Sequence, residues 1–273
     1  MKASITFHSK ILKSLLLAVT FLLLGCGEEE NKSKEEESVL YNNGLSAEDS
    51  ISDEPDTVII GTSADYMPFE FVKDGEIIGF DIDVIKKIAE ILKINIVVRD
   101  MQFYSLIPAL QNGDIHIIIS GMFETPERKS QVDFSTPYYH NEFSLLISGD
   151  YDKSNPIKKG MRLGVQTGSL MYSWIINQHL DVDVVSMDRI VELVEDLKNG
   201  RLDGILIDDI SAKEIIRINN NAALSSIILD NVNKTGISIA SKRGSKLGKK
   251  INEALSIMKK DGSLQEIKDA WLM

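Results

Sequence analysis

From Thr57 onward the chain alternates short apolar runs with stretches whose apolar residues recur at helical spacing, and that rhythm leaves few folds open to it. Residues 58–61 read as a buried strand. In residues 81–92, Ile82, Ile85, Ile88, Ala89 and Leu92 share one face of a helix. A strand at 94–98 follows, then a short helix at 104–111 stopped by Asn112-Gly113. After a strand at 115–120, Thr125-Pro126-Glu127 starts a helix: hydroxyl cap, proline in the first turn, acid beside the dipole. A strand at 143–147 closes this block. The rhythm then restarts, with strands at 162–165, 182–185 and 204–207. Helices are expected at 169–179, from an Asp188 cap to Asn199-Gly200, and at 209–219. Strands near Ile227 and at 237–240 lead to closing helices at 247–258 and 264–272. Repeated strand–helix units predict parallel sheets covered by helices, and two successive blocks predict two α/β lobes.

What precedes this body has a different composition. Lys2, Lys10 and Lys13 carry no acid among them, and a ten-residue apolar run spans 15–24. A resident membrane helix needs about 20 residues, so the pattern reads as a secretory signal. The run stops at Leu23-Leu24-Gly25-Cys26, which resembles a bacterial lipobox around the sole cysteine of the chain. Acylation of Cys26 by more than one chain would anchor the protein where one chain would not. Cleavage before Cys26 removes three lysines and takes the formal charge from -11 to -14. Residues 27–55 carry ten acids and two lysines, and such a segment reads as a solvated acidic tether. The expected organisation is a signal peptide at 1–25, a lipidated flexible tether at 26–55 and a folded body from 56. One cysteine cannot make an internal disulfide, and the acidic balance argues against nucleic acid as a partner.

The body carries no Walker-type phosphate loop, no Gly-x-Gly-x-x-Gly, no nucleophile elbow and no metal-ligand spacing, so neither cofactor nor metal is expected. Eight segments in register instead resemble one family. They are Gly61-Thr62-Ser63-Ala64-Asp65-Tyr66-Met67-Pro68-Phe69-Glu70-Phe71, Gly79-Phe80-Asp81-Ile82-Asp83, residues 106–113, Thr125-Pro126-Glu127-Arg128-Lys129, residues 132–139, Gly164-Val165-Gln166-Thr167-Gly168-Ser169, residues 202–208, and Asp261-Gly262-Ser263 with Trp271. Together they are similar to the family 3, or polar amino acid, extracellular solute-binding proteins of bacterial ABC importers.

That resemblance implies a type II periplasmic-binding-protein-like fold: two α/β sandwich lobes joined by two hinge strands. Lobe one would comprise 56–147 plus 236–273 and lobe two 148–235, with crossings near 147–150 and 233–237. It implies capture of an amino-acid-like solute by hinge closure, then delivery to a permease. The protein would be a monomer outside the cytoplasm, in the periplasm or at the cell surface, held by lipid on Cys26.

The resemblance assigns ligand roles to Arg128, Asp208, Tyr66, Phe103, Ser120, Gly121, Ser169, Phe123 and Ser63. The planar fork of Arg128 suits a carboxylate, although taken alone it reads equally as a solvated helix residue. Asp208, at the carboxyl end of a strand, suits an α-ammonium or caps the next helix. Ser169 can cap its helix and touch a carboxylate at once. Tyr66 and Phe103 would wall the ligand, with core packing as the alternative. Ser120 and Gly121 would meet the ligand amine. Two departures from the family pattern bear on specificity. Phe123 stands where a hydroxyl is usual, and Ser63 where members for basic amino acids often carry an acid. Both point away from Lys, Arg and His toward a neutral or apolar ligand. A secreted cyclohexadienyl dehydratase on the same fold is the alternative reading, with Asp208 or Asp65 as its acid–base group. A sensory lobe is the weaker expectation, because no signalling module follows the last helix.

Overall fold

Strand pairing divides the body into two mixed sheets. The computed structural model describes residues 38–41, 57–149, 155–220, 223–230, 232 and 236–272. The signal peptide, Cys26 and most of the acidic segment lie outside them. In the first sheet the order is 38–41, 95–100, 57–62, 117–118, 240–241, 133–134. Strand Thr57–Thr62 runs parallel to both neighbours, while the outer strands are antiparallel. In the second the order is 183–187, 162–166, 204–208, 143–148, 224–228, again with a parallel centre and an antiparallel side. The expectation of parallel sheets therefore holds only for the strands that helices connect.

Helical spacing translates directly into packing. Helix α1 (Phe80–Leu92) buries Ile82, Ile85, Ile88 and Ala89, as their spacing predicts, and ends on Lys93 in the left-handed region. Gly79, which precedes it, has φ 135°, and a Cβ there would lie 2.2 Å from the Phe69 carbonyl oxygen. Helices α2 (Leu106–Asn112) and α3 (Pro126–Lys129) follow on the first-sheet side. On the second lie α4 (Leu170–Asn177), α5 (Ile190–Lys198) and α6 (Asp209–Ile218). Asp188 does not cap α5; Arg189 takes that position, with no side-chain bond. The last helices, α7 (Lys246–Asp261) and α8 (Ser263–Trp271), return to pack on α1. There the Trp271 indole nitrogen donates to Asp83 at 2.7 Å.

Two expectations are corrected by the pairing. Residues 143–147 are expected in the first half, but the strand Phe143–Ser148 pairs with Gly204–Asp208 and Leu224–Ile228 in the second sheet. Its uniformly apolar run announces a buried strand and says nothing about which sheet buries it. The chain passes between sheets earlier, at Tyr139–His140, which pairs antiparallel with the returning Gly236–Ile237. Ser38–Tyr41 falls inside the expected tether, yet its backbone adds an edge strand to 95–100. The four residues, the β-prone Val39 and Tyr41 among them, interrupt the acidic run, and their backbone covers an otherwise open edge.

Candidate functional site

The parallel strands of both sheets end toward one cleft, where open α/β sheets place ligands. Seven of the nine expected site residues line a single cavity there: Tyr66, Phe103, Gly121, Phe123, Arg128, Ser169 and Asp208.

Arg128 owes its position to the start of α3. The Thr125 hydroxyl accepts from the Arg128 amide at 3.1 Å, and Pro126 sets the first turn. The guanidinium turns inward, leaving the residue 7% exposed. It donates to the Phe123 carbonyl at 2.6 Å and to the Gly168 carbonyl at 3.0 Å, and so joins the two halves of the cleft. Its carbon lies 5.3 Å from the centre of the Phe103 ring, a cation–π contact. Burial lowers its pKa to about 10, which leaves it charged at neutral pH.

Asp208 ends the strand 204–208 and caps α6, accepting from the Ser211 amide at 2.9 Å. Asn141 donates to the same oxygen and the Tyr66 hydroxyl to the other. Cap and site member are thus one residue, not alternatives. Burial raises its pKa, opposed by these hydrogen bonds. Ser169 caps α4, accepting from the Tyr172 amide at 3.1 Å. Gly121, at φ 52°, lies flat against Tyr66; a Cβ would stand 2.5 Å from the ring. Phe123 packs on Phe143 at 4.8 Å and puts an apolar wall where a hydroxyl was looked for.

Ser63 and Ser120 stand behind the cavity. The Ser120 hydroxyl accepts from the Ser63 amide at 2.9 Å and donates to Glu70 at 2.8 Å. Glu70 is buried beside Asp81, which accepts from the Gly121 amide at 2.7 Å. Burial pushes both carboxyls upward; the charge of Asp81 raises Glu70 further, whereas the hydrogen bond with Glu70 favours the ionised form of Asp81. The pair braces the 120–121 turn from behind. Ser63 donates to Asp65 at 3.1 Å.

The expectations missed Asn141, Asp100 and Arg189. Asn141 follows the crossing strand and carries no local motif. Arg189 lies beside the residue expected to cap α5, and only the tertiary structure brings it to Asp100, 89 positions away. The cavity between Arg128 and Asp208 measures about 40 Å³, room for roughly three waters. A larger groove of about 490 Å³ shares Tyr66, Ile190 and Ile207 with it. Among the described residues no three His, Cys, Asp or Glu side chains converge on a metal position.

An acceptor and a fork-shaped donor, both buried and both lining one small cavity, can together hold a zwitterion: ammonium at Asp208, carboxylate at Arg128. Residues 58–273 match the family of bacterial extracellular solute-binding proteins, family 3. ABC transporter arginine-binding protein 1 of Escherichia coli K12 is 37% identical over 215 residues, covering 77% of this chain and 88% of that protein. The arginine-binding extracellular protein ArtP of Bacillus subtilis 168 is 33% identical, covering 93% of each. Among solved structures, an ancestral arginine-binding protein bound to glutamine superposes with a TM-score of 0.75 at 35% identity, covering 80% of this chain and 98% of that one.

Proposed function

The chain belongs to the bacterial extracellular solute-binding proteins, family 3, and on that footing we propose that it captures an α-amino acid in the cleft and delivers it to an ABC importer. It is a binding protein, not an enzyme, as its relatives are. The observation that carries the reading is the placement of Arg128 and Asp208, both buried, across one small cavity. The carboxylate of the ligand takes the Arg128 fork from the carbonyls of Phe123 and Gly168. Its ammonium takes Asp208 from Tyr66. Phe103 and Tyr66 exclude water, so each charge pair works in a low local dielectric.

Delivery follows from the two-sheet architecture. The halves centred on the sheets are lobes that rotate about the ladder of 139–140 with 236–237, and ligand contacts made by both shift the population toward closure. The N-terminus completes the proposal: export, cleavage before Cys26 and lipid on that cysteine hold the protein to a membrane outside the cytoplasm. A thermal-shift screen of the amino acids, followed by calorimetry, tests the binding claim. One-to-one binding without turnover is expected, and Arg128→Ala abolishes it. No stabilisation by any amino acid would defeat the reading. For the anchor, Cys26→Ser should move the protein from the membrane fraction to the soluble one.

A further inference from the structure

Beside the zwitterion site stands a cluster of charges that already satisfies itself. Arg189 donates through both terminal nitrogens to both oxygens of Asp100, at 2.8 and 2.9 Å. The same guanidinium lies 3.9 Å from Asp65. The other Asp65 oxygen accepts from the Ile190 amide at 2.5 Å, at the start of α5. Two carboxylates thus share one internal guanidinium and one helix-terminal amide. The remaining acids nearby are engaged as well: Glu70 with Ser120, Asp81 with Gly121, Asp208 with the Ser211 amide, Glu195 with Lys198. The groove that adjoins the cavity across Tyr66, Ile190 and Ile207 is lined by the apolar Phe71, Val72, Val194 and Ile215 and by the charged Asp65, Arg189 and Glu195. It measures about 490 Å³, and both of its acids already have partners: Asp65 the Ile190 amide and Arg189, Glu195 the ammonium of Lys198.

Resting on the amino-acid reading of the cleft, we propose that Arg189 determines the side-chain class: it fills the cationic place itself, so the protein takes amino acids with uncharged, chiefly apolar side chains and excludes basic ones. A ligand guanidinium or ammonium entering the groove would meet Arg189, which already holds Asp100 and stands 3.9 Å from Asp65. Like charges in a partly desolvated site repel strongly, and Asp65 and Asp100 are released only if Arg189 moves.

Calorimetry on the purified full-length chain tests this with leucine, phenylalanine, glutamine, arginine and lysine. The best neutral ligand is expected to bind at least tenfold more tightly than arginine or lysine. Arg189→Gln should raise arginine affinity at least tenfold relative to that neutral ligand, and adding Asp100→Asn should cancel the gain. Arg189→Lys keeps a cation in place and should keep the exclusion. Because the comparison is a ratio within each protein, loss of folding in one variant leaves the wild-type ranking and the lysine variant to decide. Arginine binding to the wild type as tightly as the best neutral ligand overturns this inference while the amino-acid reading stands, as does an unchanged ratio in Arg189→Gln. Failure of every amino acid to bind overturns both.

Discussion

Replacing Asp208 with asparagine should separate what this residue does for the fold from what it does for the ligand. In the fold it is an acceptor three times over, from Ser211, Asn141 and Tyr66. Asparagine keeps one oxygen for Ser211 and Asn141, and its amide can donate to the Tyr66 oxygen. At most one donor, the Tyr66 hydroxyl, must then find another partner, at a cost of about 1 kcal/mol. Against that stands a gain. Burial raises the Asp208 pKa, so its stabilising contribution is whole below the ordinary carboxylate range and declines as pH rises through the folded-state value. Asparagine has no charge to desolvate at any pH. The melting temperature of Asp208→Asn at pH 8 should therefore stay within about 4 °C of wild type, the shift expected for about 1 kcal/mol in a chain of this size. The variant should compare better at pH 8 than at pH 5. Ligand affinity behaves differently. Removing one member of a buried charge pair costs about 3–5 kcal/mol, or roughly 150-fold to several thousand-fold in Kd. Differential scanning fluorimetry at the two pH values, with calorimetry on the best amino acid, measures both. Binding within threefold of wild type would refute the placement of the ammonium at Asp208. A fall of more than about 10 °C would show that the residue is chiefly structural.

Gly121→Ala puts a Cβ 2.5 Å from the Tyr66 ring at a φ of 52°, so urea denaturation should show a loss of about 1 kcal/mol or more, with weaker ligand binding as the ring is displaced. Asp81, whose pKa burial raises to about 7, contributes stability at pH 4 that is lost as pH climbs through that value; Asp81→Asn should flatten the fall in melting temperature between pH 4.5 and 8 and leave the variant ahead at the upper end.

How much of this was legible depends on whether the signal was local. Ile82, Ile85, Ile88 and Ala89 state their helix and its buried face in their spacing, because a helix closes its own hydrogen bonds. The Thr125-Pro126 start stated where Arg128 would sit for the same reason. Strand partners are another matter. Phe143–Ser148 reads as a buried strand in either sheet, and only the register with Gly204–Asp208 decides which. The backbone of Ser38–Tyr41 finds a partner near Val97, far along the chain, which the acidic composition around it concealed. In the site, Tyr66, Arg128, Ser169 and Asp208 lie in matched segments and line the cavity, as do Phe103, Gly121 and Phe123 outside them, whereas Ser63 and Ser120 turn their hydroxyls to Asp65 and Glu70. Arg189 and Asp100 were missed because a salt bridge between distant residues has no period.

The paired passages at Tyr139–His140 and Gly236–Ile237 limit the degrees of freedom of the molecule. Two adjacent covalent links, tied by backbone hydrogen bonds, bend across their common line more readily than they twist along it or slide past each other. Gly236 keeps them close, since a Cβ there would stand 2.3 Å from Pro137. In the proposed hinge closure the facing surfaces therefore come back along nearly one path. Gly168 and Asp208 on one side meet Arg128 and Tyr66 on the other in a repeatable alignment, with no orientational search.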